Sequence, residues 1–320
     1  MKFKKWNSIE NHYNEKNLYY IVNKMPEINS AKMVVTEKIH GANFSILSTK
    51  KGGTFFAKRS GVIEKDEKFY GYEEVFTRER YSELVKFLSQ LSKKEGKSYQ
   101  LYGELYGSNI QKGVFYGKEK NFRWYSLREE GKIIVPVLVD EIMKDFIDLK
   151  VPTIGIFDVD GDFISFIGKV ESEFNSHLTP EEYEESNISE GVVITGYEED
   201  FYLQKALVLI KKKNKEFLEK KSVKVVRGIK KLSKEVKEEV EEFVSYINEN
   251  RTEGLFSKEG KLDDIREIGK YASLYFEDAF KDYEKENFTN WSNLVEADKK
   301  LVKKKVSSYI FIELKRSLGI

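Results

Sequence analysis

The 320-residue chain contains no cysteine. That absence excludes disulfides, thiolate metal sites and cysteine nucleophiles, and it agrees with a reducing compartment. Its three histidines, at 12, 40 and 177, are far apart and none belongs to an HExxH pattern, so no zinc site is supported. Neither GxxxxGK[ST] nor GxGxxG occurs, which leaves a Walker-type NTPase and a dinucleotide-binding turn without support. No apolar run approaches the roughly 20 residues that cross a bilayer. The opening MKFKKWNSIENHYNEKN lacks the uninterrupted apolar stretch of a signal sequence. The expectation is a soluble cytoplasmic protein (host cytoplasm for a phage-encoded chain), with no membrane partner and no obligate protein partner. A surplus of one charge sign is also missing: 55 Lys and Arg stand against 54 Asp and Glu, for a net charge of +1. A nucleic-acid role would therefore need local basic surfaces.

What is present changes character near residue 220. From Lys32 to about Lys213 the text is strand-like and punctuated by glycine, through MVVTEKI, ANFSILS, GGTFFAKRS, YQLYGELYG, FRWYSL, TIGIFDV, DFISFIG, EGVVITGY and KALVLIKKK. Helices intervene, one over Glu73 to Leu91. Another is expected from Thr179, with its hydroxyl as cap, Pro180 at the first position and Glu182 at the third. Strands and helices without a regular βαβ rhythm predict an α+β core. After Phe217 the signal is helical. Leu232, Val236, Val240, Phe243 and Ile247 make one apolar stripe. Leu262, Ile265, Ile268, Ala272, Tyr275 and Ala279 make a second, and Leu294, Ala297, Leu301, Val302, Val306 and Ile310 a third. Two domains are expected, residues 1–219 and 220–320. Residues 221–320 carry 21 Lys and Arg against 19 Asp and Glu, mostly a solvated surface, with Lys303, Lys304 and Lys305 as the best candidate phosphate contact.

Six polar words sit at the ends of the strand-like runs. In Glu37-Lys38-Ile39-His40-Gly41-Ala42-Asn43, strand alternation lets Lys38 and His40 point into one cleft, and Gly41 permits a tight path. A lysine amine attacks only when unprotonated, a form favoured beside other cations or in a dry pocket. Read alone, the word could equally be a surface lysine beside a structural histidine. Arg59, in Ala57-Lys58-Arg59-Ser60-Gly61, could grip phosphate with its fixed fork, or simply decorate the surface. Glu104, between Gly103 and Leu105, could meet a ribose hydroxyl or serve the fold. Phe122 could stack on a nucleobase or fill a core. Glu190 opens the apolar run Gly191-Val192-Val193-Ile194 and could hold a metal bound to phosphates. Lys211 and Lys213 share one strand face, where two ammoniums repel unless an anion lies between them; a solvated basic turn is the bland alternative.

Taken in order, these words resemble the superfamily of polynucleotide ligases and capping enzymes, the covalent nucleotidyltransferases. Most members carry KxDG, whereas the RNA ligase 2 branch carries KxHGxN. Here Lys38, His40, Gly41 and Asn43 match the latter. The resemblance covers about residues 32 to 217 and implies an ATP-grasp-like nucleotidyltransferase core of antiparallel sheets and helices, followed by a small all-helical domain. By the same resemblance Lys38 is the nucleotide-accepting lysine, Arg59 a phosphate ligand and Glu104 a ribose contact. Phe122 is implied as the adenine platform and Glu190 as the metal carboxylate, with Lys211 and Lys213 at the α-phosphate. Glu37 joins the nucleotide contacts, His40 orients the triphosphate, and Asn43 touches the incoming RNA end. The implied cofactors are ATP and Mg²⁺, or Mn²⁺.

The implied reaction is ATP-dependent joining of RNA 3′-hydroxyl and 5′-phosphate ends through lysyl-AMP and adenylylated RNA, with nicked duplex RNA as the expected partner. A DNA ligase or capping enzyme would use the same core. Those usually carry an OB-fold module, against which the helical tail argues. A catalytically silent RNA-binding protein is the remaining alternative, against which the intact Lys38 word argues.

Overall fold

The computed structural model describes residues 2–199, 201–203, 206–218 and 232–319. It divides into two compact units, Met1–Glu216 and Phe217–Ile320. The boundary expected after residue 219 falls at the edge of 219–231, outside the described residues.

Two sheets build the first unit. One runs in the order Glu10–Asn11, Ile210–Lys213, Gly191–Gly196, Lys32–Glu37, Thr153–Asp158. Its pairings are antiparallel except for the first, which is parallel. The other, wholly antiparallel, runs Gly61–Val62, Thr54–Lys58, Ala42–Ser48, Tyr99–Gly107, Lys120–Glu129, Lys132–Ile133. Alternation gives the second sheet one apolar face, where Phe44, Ile46, Leu101, Leu105, Phe122 and Trp124 pack against Val75, Leu84 and Leu88 of the helices Tyr72–Thr77 and Glu79–Glu95. The first sheet buries Met33, Val35, Val192, Ile194 and Ile210 against Leu18 and Ile21 of the helix Glu15–Lys24 and Phe163 and Ile167 of the helix Phe163–Lys169.

Three local expectations change. DFISFIG is not a strand. Asp162 accepts a hydrogen bond from Ser165 N at 2.9 Å, which caps a helix whose buried residues, Phe163 and Ile167, are four apart. No helix starts at Thr179: its hydroxyl donates back to Ser176 O at 2.6 Å, closing a turn instead. The expected helix over Glu73–Leu91 is two helices, because Arg78 adopts an extended conformation between them.

The second unit is helical over Lys234–Val244, Glu249–Glu259, Ile268–Asn293 and Glu296–Ser317. Val236, Val240, Phe243, Tyr275, Ala279, Val302, Val306 and Ile310 of the three stripes form its core. Leu262 and Ile265 precede the long helix rather than belonging to it, and Ile265 is exposed. The helix Glu249–Glu259 escaped the periodicity reading because its buried face is largely polar. Arg251 is 2% exposed there, held by Asp278 at 2.7 Å and Asp282 at 2.8 Å.

Candidate active site

Residues 38–41 cross from the strand Lys32–Glu37 of one sheet to the strand Ala42–Ser48 of the other. Lys38 N donates to Gly191 O at 2.9 Å, His40 N donates to the Tyr116 hydroxyl at 2.9 Å, and the Gln111 amide donates to Gly41 O. A Cβ at residue 41 would lie 2.4 Å from Leu105 O, so only glycine fits where this crossover passes the neighbouring strand.

Glu190 is the centre of charge. Its carboxylate accepts from Lys38 Nζ at 2.6 Å and Lys213 Nζ at 2.8 Å, and His40 Nδ1 lies 3.3 Å away. The residue is 3% exposed. Burial pushes its carboxyl up, but Lys213, Lys38 and His40 outweigh that and hold it well below the usual carboxylate range. Gly191 after it has φ +139°, and a Cβ there would meet Lys212 O at 2.0 Å, so the Glu-Gly pair is needed to bring the carboxylate this close to the adjacent strand. Lys211 stands half-buried on the same strand face as Lys213. Lys212 points the other way and donates to Gly168 O at 2.8 Å and Val170 O at 2.7 Å, at the carbonyl end of the helix Phe163–Lys169.

The second sheet supplies the facing wall through the surface opposite its apolar core. Glu104 pairs in register with Asn43 and Arg123, on the face away from Leu105. Burial pushes its carboxyl up to about 8; Lys38, His40 and Arg59 oppose the shift and Glu190 adds to it. The Asn43 amide donates to the Tyr125 hydroxyl. Burial raises that hydroxyl well above its usual value, Glu104 adds to the shift, and Arg59 opposes it. Arg59 is half-buried just after the strand Thr54–Lys58.

Two expectations need correction. Phe122 is fully buried on the apolar face, against Phe44 and Phe76, and does not reach the wall that carries Glu104. Tyr125 does, at a bulge where Tyr102 pairs with Ser126 and Gly103 already pairs with Trp124. Alternation from Phe122 already offered this second face; what the text could not say is which face the helices cover. Glu37 spends its carboxylate internally, accepting from Ser176 Oγ at 2.5 Å and His177 N at 2.9 Å. It anchors that turn instead of offering a side chain to a nucleotide. Tyr116 and Gln111 were missed altogether, because nothing local in the sequence ties them to residues 40 and 41.

Residues 230–310 match the family described as T4 RNA ligase 2 C-terminal. The mitochondrial RNA-editing ligase 2 of Trypanosoma brucei brucei is 36% identical over 77 residues, which is 23% of this chain and 18% of that protein. The mitochondrial RNA-editing ligase 1 of the same organism is 30% identical over 135 residues, 40% of this chain and 27% of that protein. These matches make parts of the chain similar to the RNA ligase 2 C-terminal family and to RNA-editing ligases. The aligned parts span about a fifth to a quarter of those relatives' own length. A solved mutant of the Naegleria gruberi RNA ligase with ATP and Mn has the same core fold, at a TM-score of 0.52 and 15% identity, covering 68% of this chain and 58% of that one. The same ligase with PPi aligns at a TM-score of 0.50 and 14% identity, over 68% and 57%. The likeness to these structures is one of fold, and the helices after the two sheets fall largely within the residues that match the C-terminal family.

Proposed function

We propose that this chain is an ATP-dependent RNA ligase that forms lysyl-AMP on Lys38 and joins RNA 3′-hydroxyl and 5′-phosphate ends, at nicks in duplex RNA. The observation that carries the reading is the cluster of half-buried Lys38, His40 and Lys213 on the buried Glu190, facing Glu104, Arg59, Asn43 and Tyr125 on the opposite wall. An amine, several phosphate-binding cations, a ribose-sized carboxyl and an aromatic ring converge there. Tyr125 takes the platform role first assigned to Phe122, since any base offers a face to an aromatic ring.

In the first step the unprotonated Lys38 amine attacks the α-phosphorus of ATP, the bond to the β-phosphate oxygen breaks, pyrophosphate leaves and the amine's proton goes to solvent. Arg59, Lys211 and Lys213 offset the phosphate charge, and His40 orients the leaving group. The RNA 5′-phosphate then displaces Lys38 from AMP. In the last step the 3′-hydroxyl displaces AMP to give the phosphodiester, with Asn43 touching the incoming end. Among the described residues no group of three or more His, Cys, Asp or Glu is arranged to hold a metal by itself. One buried carboxylate beside a phosphate site is nevertheless the usual protein share of a Mg²⁺ site, which fits Glu190. Glu190 would hold such a cation, whose charge would offset that of the nucleotide phosphates.

The test is incubation with α-labelled ATP and Mg²⁺ or Mn²⁺, followed by sealing of matched nicked RNA and DNA duplexes. Labelled protein and faster sealing of RNA are expected. Absence of label defeats the nucleotidyltransferase reading, and equal rates on both duplexes defeat the RNA assignment.

A further inference from the structure

The N-terminal segment lies outside all six polar words, yet it joins both walls of the site. Lys4 N donates to Gln100 Oε1 at 3.0 Å, and Lys4 O accepts from Gln100 Nε2 at 3.1 Å and from the Tyr102 hydroxyl at 2.5 Å. Asn7 Oδ1 accepts from Arg128 Nη2 at 2.8 Å. These partners belong to the sheet that carries Glu104 and Tyr125. Three residues later Glu10 N donates to Leu209 O at 2.8 Å, and His12 N to Lys211 O at 3.0 Å, on the strand that carries Lys211 and Lys213. The segment is a strap from one sheet to the other.

Its central side chain is Trp6, 6% exposed among Tyr102, Leu207 and Leu209. The indole lies 4.8 Å from the Tyr102 ring and 5.1 Å from the Tyr125 ring, centroid to centroid. Tyr125 is therefore held at two points: Asn43 takes its hydroxyl and Trp6 flanks its ring. A ring fixed in this way can receive a base without first losing rotamer freedom, which lowers the ordering cost of binding.

We propose that Trp6 is a positioning residue for Tyr125, so that the N-terminal strap sets affinity for the nucleotide and leaves the chemistry at Lys38 alone. The inference rests on the reading of the site as a nucleotide site. Lys38 has its own supports in Glu190 and Gly191. Loss of the indole should therefore change how readily ATP is held more than how fast the bound nucleotide reacts.

The experiment is single-turnover adenylylation of the full chain across ATP concentrations. Trp6→Ala should raise the half-saturating ATP concentration about tenfold and leave the rate at saturation within about twofold, the pattern of lost uniform binding. Trp6→Phe should restore most of the affinity. An unchanged half-saturation, or a fall in maximal rate with no change in half-saturation, overturns the proposal. Tryptophan emission provides an arm that does not depend on Trp6→Ala folding, with Trp124 and Trp291 as the other two emitters. ATP should alter the emission of the wild-type chain and have much less effect on Trp6→Phe; identical changes in the two overturn the proposal. A wild-type chain that takes no label from ATP overturns the nucleotide reading and this inference with it. Normal labelling with unchanged Trp6→Ala affinity overturns only the role of Trp6.

Discussion

Lys38 Nζ lies 2.6 Å from the Glu190 carboxylate, a contact it must leave before it can attack a phosphorus. In the proposed reaction Lys38 is the nucleophile in the first step only, whereas Lys213 on the same carboxylate is placed to serve phosphate in every step. Lys38→Ala should therefore form no adenylylated protein from ATP, yet still seal nicked RNA supplied with a pre-adenylylated 5′ end. Some rate should be lost with the lysine's charge. Label on the folded variant, or no sealing of the activated RNA, would each count against this division of labour. Glu104 offers a titration test. Its carboxyl is pushed up to about 8 in the folded chain, from an ordinary value of 4.5. Between those values the folded state keeps a proton that the unfolded state has released. The stability contributed by Glu104 is thus fully present below the lower value and is lost as pH rises through the higher one, by about 1.4 kcal/mol per pH unit at most. Glu104→Gln carries no such proton, so its Tm relative to wild type should climb from pH 5 to pH 9. Parallel Tm curves would show that the carboxyl is not held neutral.

At the scale of elements, the decisive feature is the four-residue crossover between sheets, pinned by Tyr116, Gln111 and Gly191 O. It presents Lys38 and His40 to Glu190 from the first sheet and delivers Asn43 to Tyr125 on the second. Gly41→Ala should lower unfolding stability by about 1 to 3 kcal/mol, the usual cost of overpacking, because its methyl would meet backbone at Leu105. It should also slow adenylylation, since relieving the clash moves the turn that carries Lys38. Chemical denaturation and the labelling assay check both, and an unchanged midpoint would mean that the crossover yields freely. The elements also show how far local text carries. The strands around Lys38, Glu104 and Glu190 were legible from alternation and glycine. The helix Phe163–Lys169 was not, because DFISFIG is a short, mostly apolar run that suits a buried strand as well as a helical turn, and the Asp162 cap tips the balance.

For the molecule as a whole, every residue assigned to the nucleotide chemistry lies in the unit Met1–Glu216, and none lies in Phe217–Ile320. A fragment ending at Glu219 should still take label from ATP at Lys38, but should seal nicked RNA poorly when the duplex is limiting. A large substrate must be held at both ends, and the helical unit offers the extra surface. Lys303 and Lys304 of the expected phosphate contact are exposed on its last helix, and Lys305 is half-buried. Sealing by the fragment as efficient as by the whole chain would remove the helical unit from substrate binding.

The sequence by itself determined the division into a strand-rich and a helical part, and the candidate residues Lys38, Arg59, Glu104, Glu190 and Lys213. Both rest on local patterns: period, punctuation, and polar residues at strand ends. Tertiary structure alone decided that Lys38, His40 and Lys213 share one carboxylate, although 152 positions separate Lys38 from Glu190 in the chain. It also decided that Tyr125 faces the site while Phe122 is buried, because alternation defines two faces and only the packed helices determine which of them is covered. The part played by Trp6 was illegible for the same reason. Its partners, Tyr102 and Tyr125, lie about a hundred residues away, and contacts at that separation leave no local period to read.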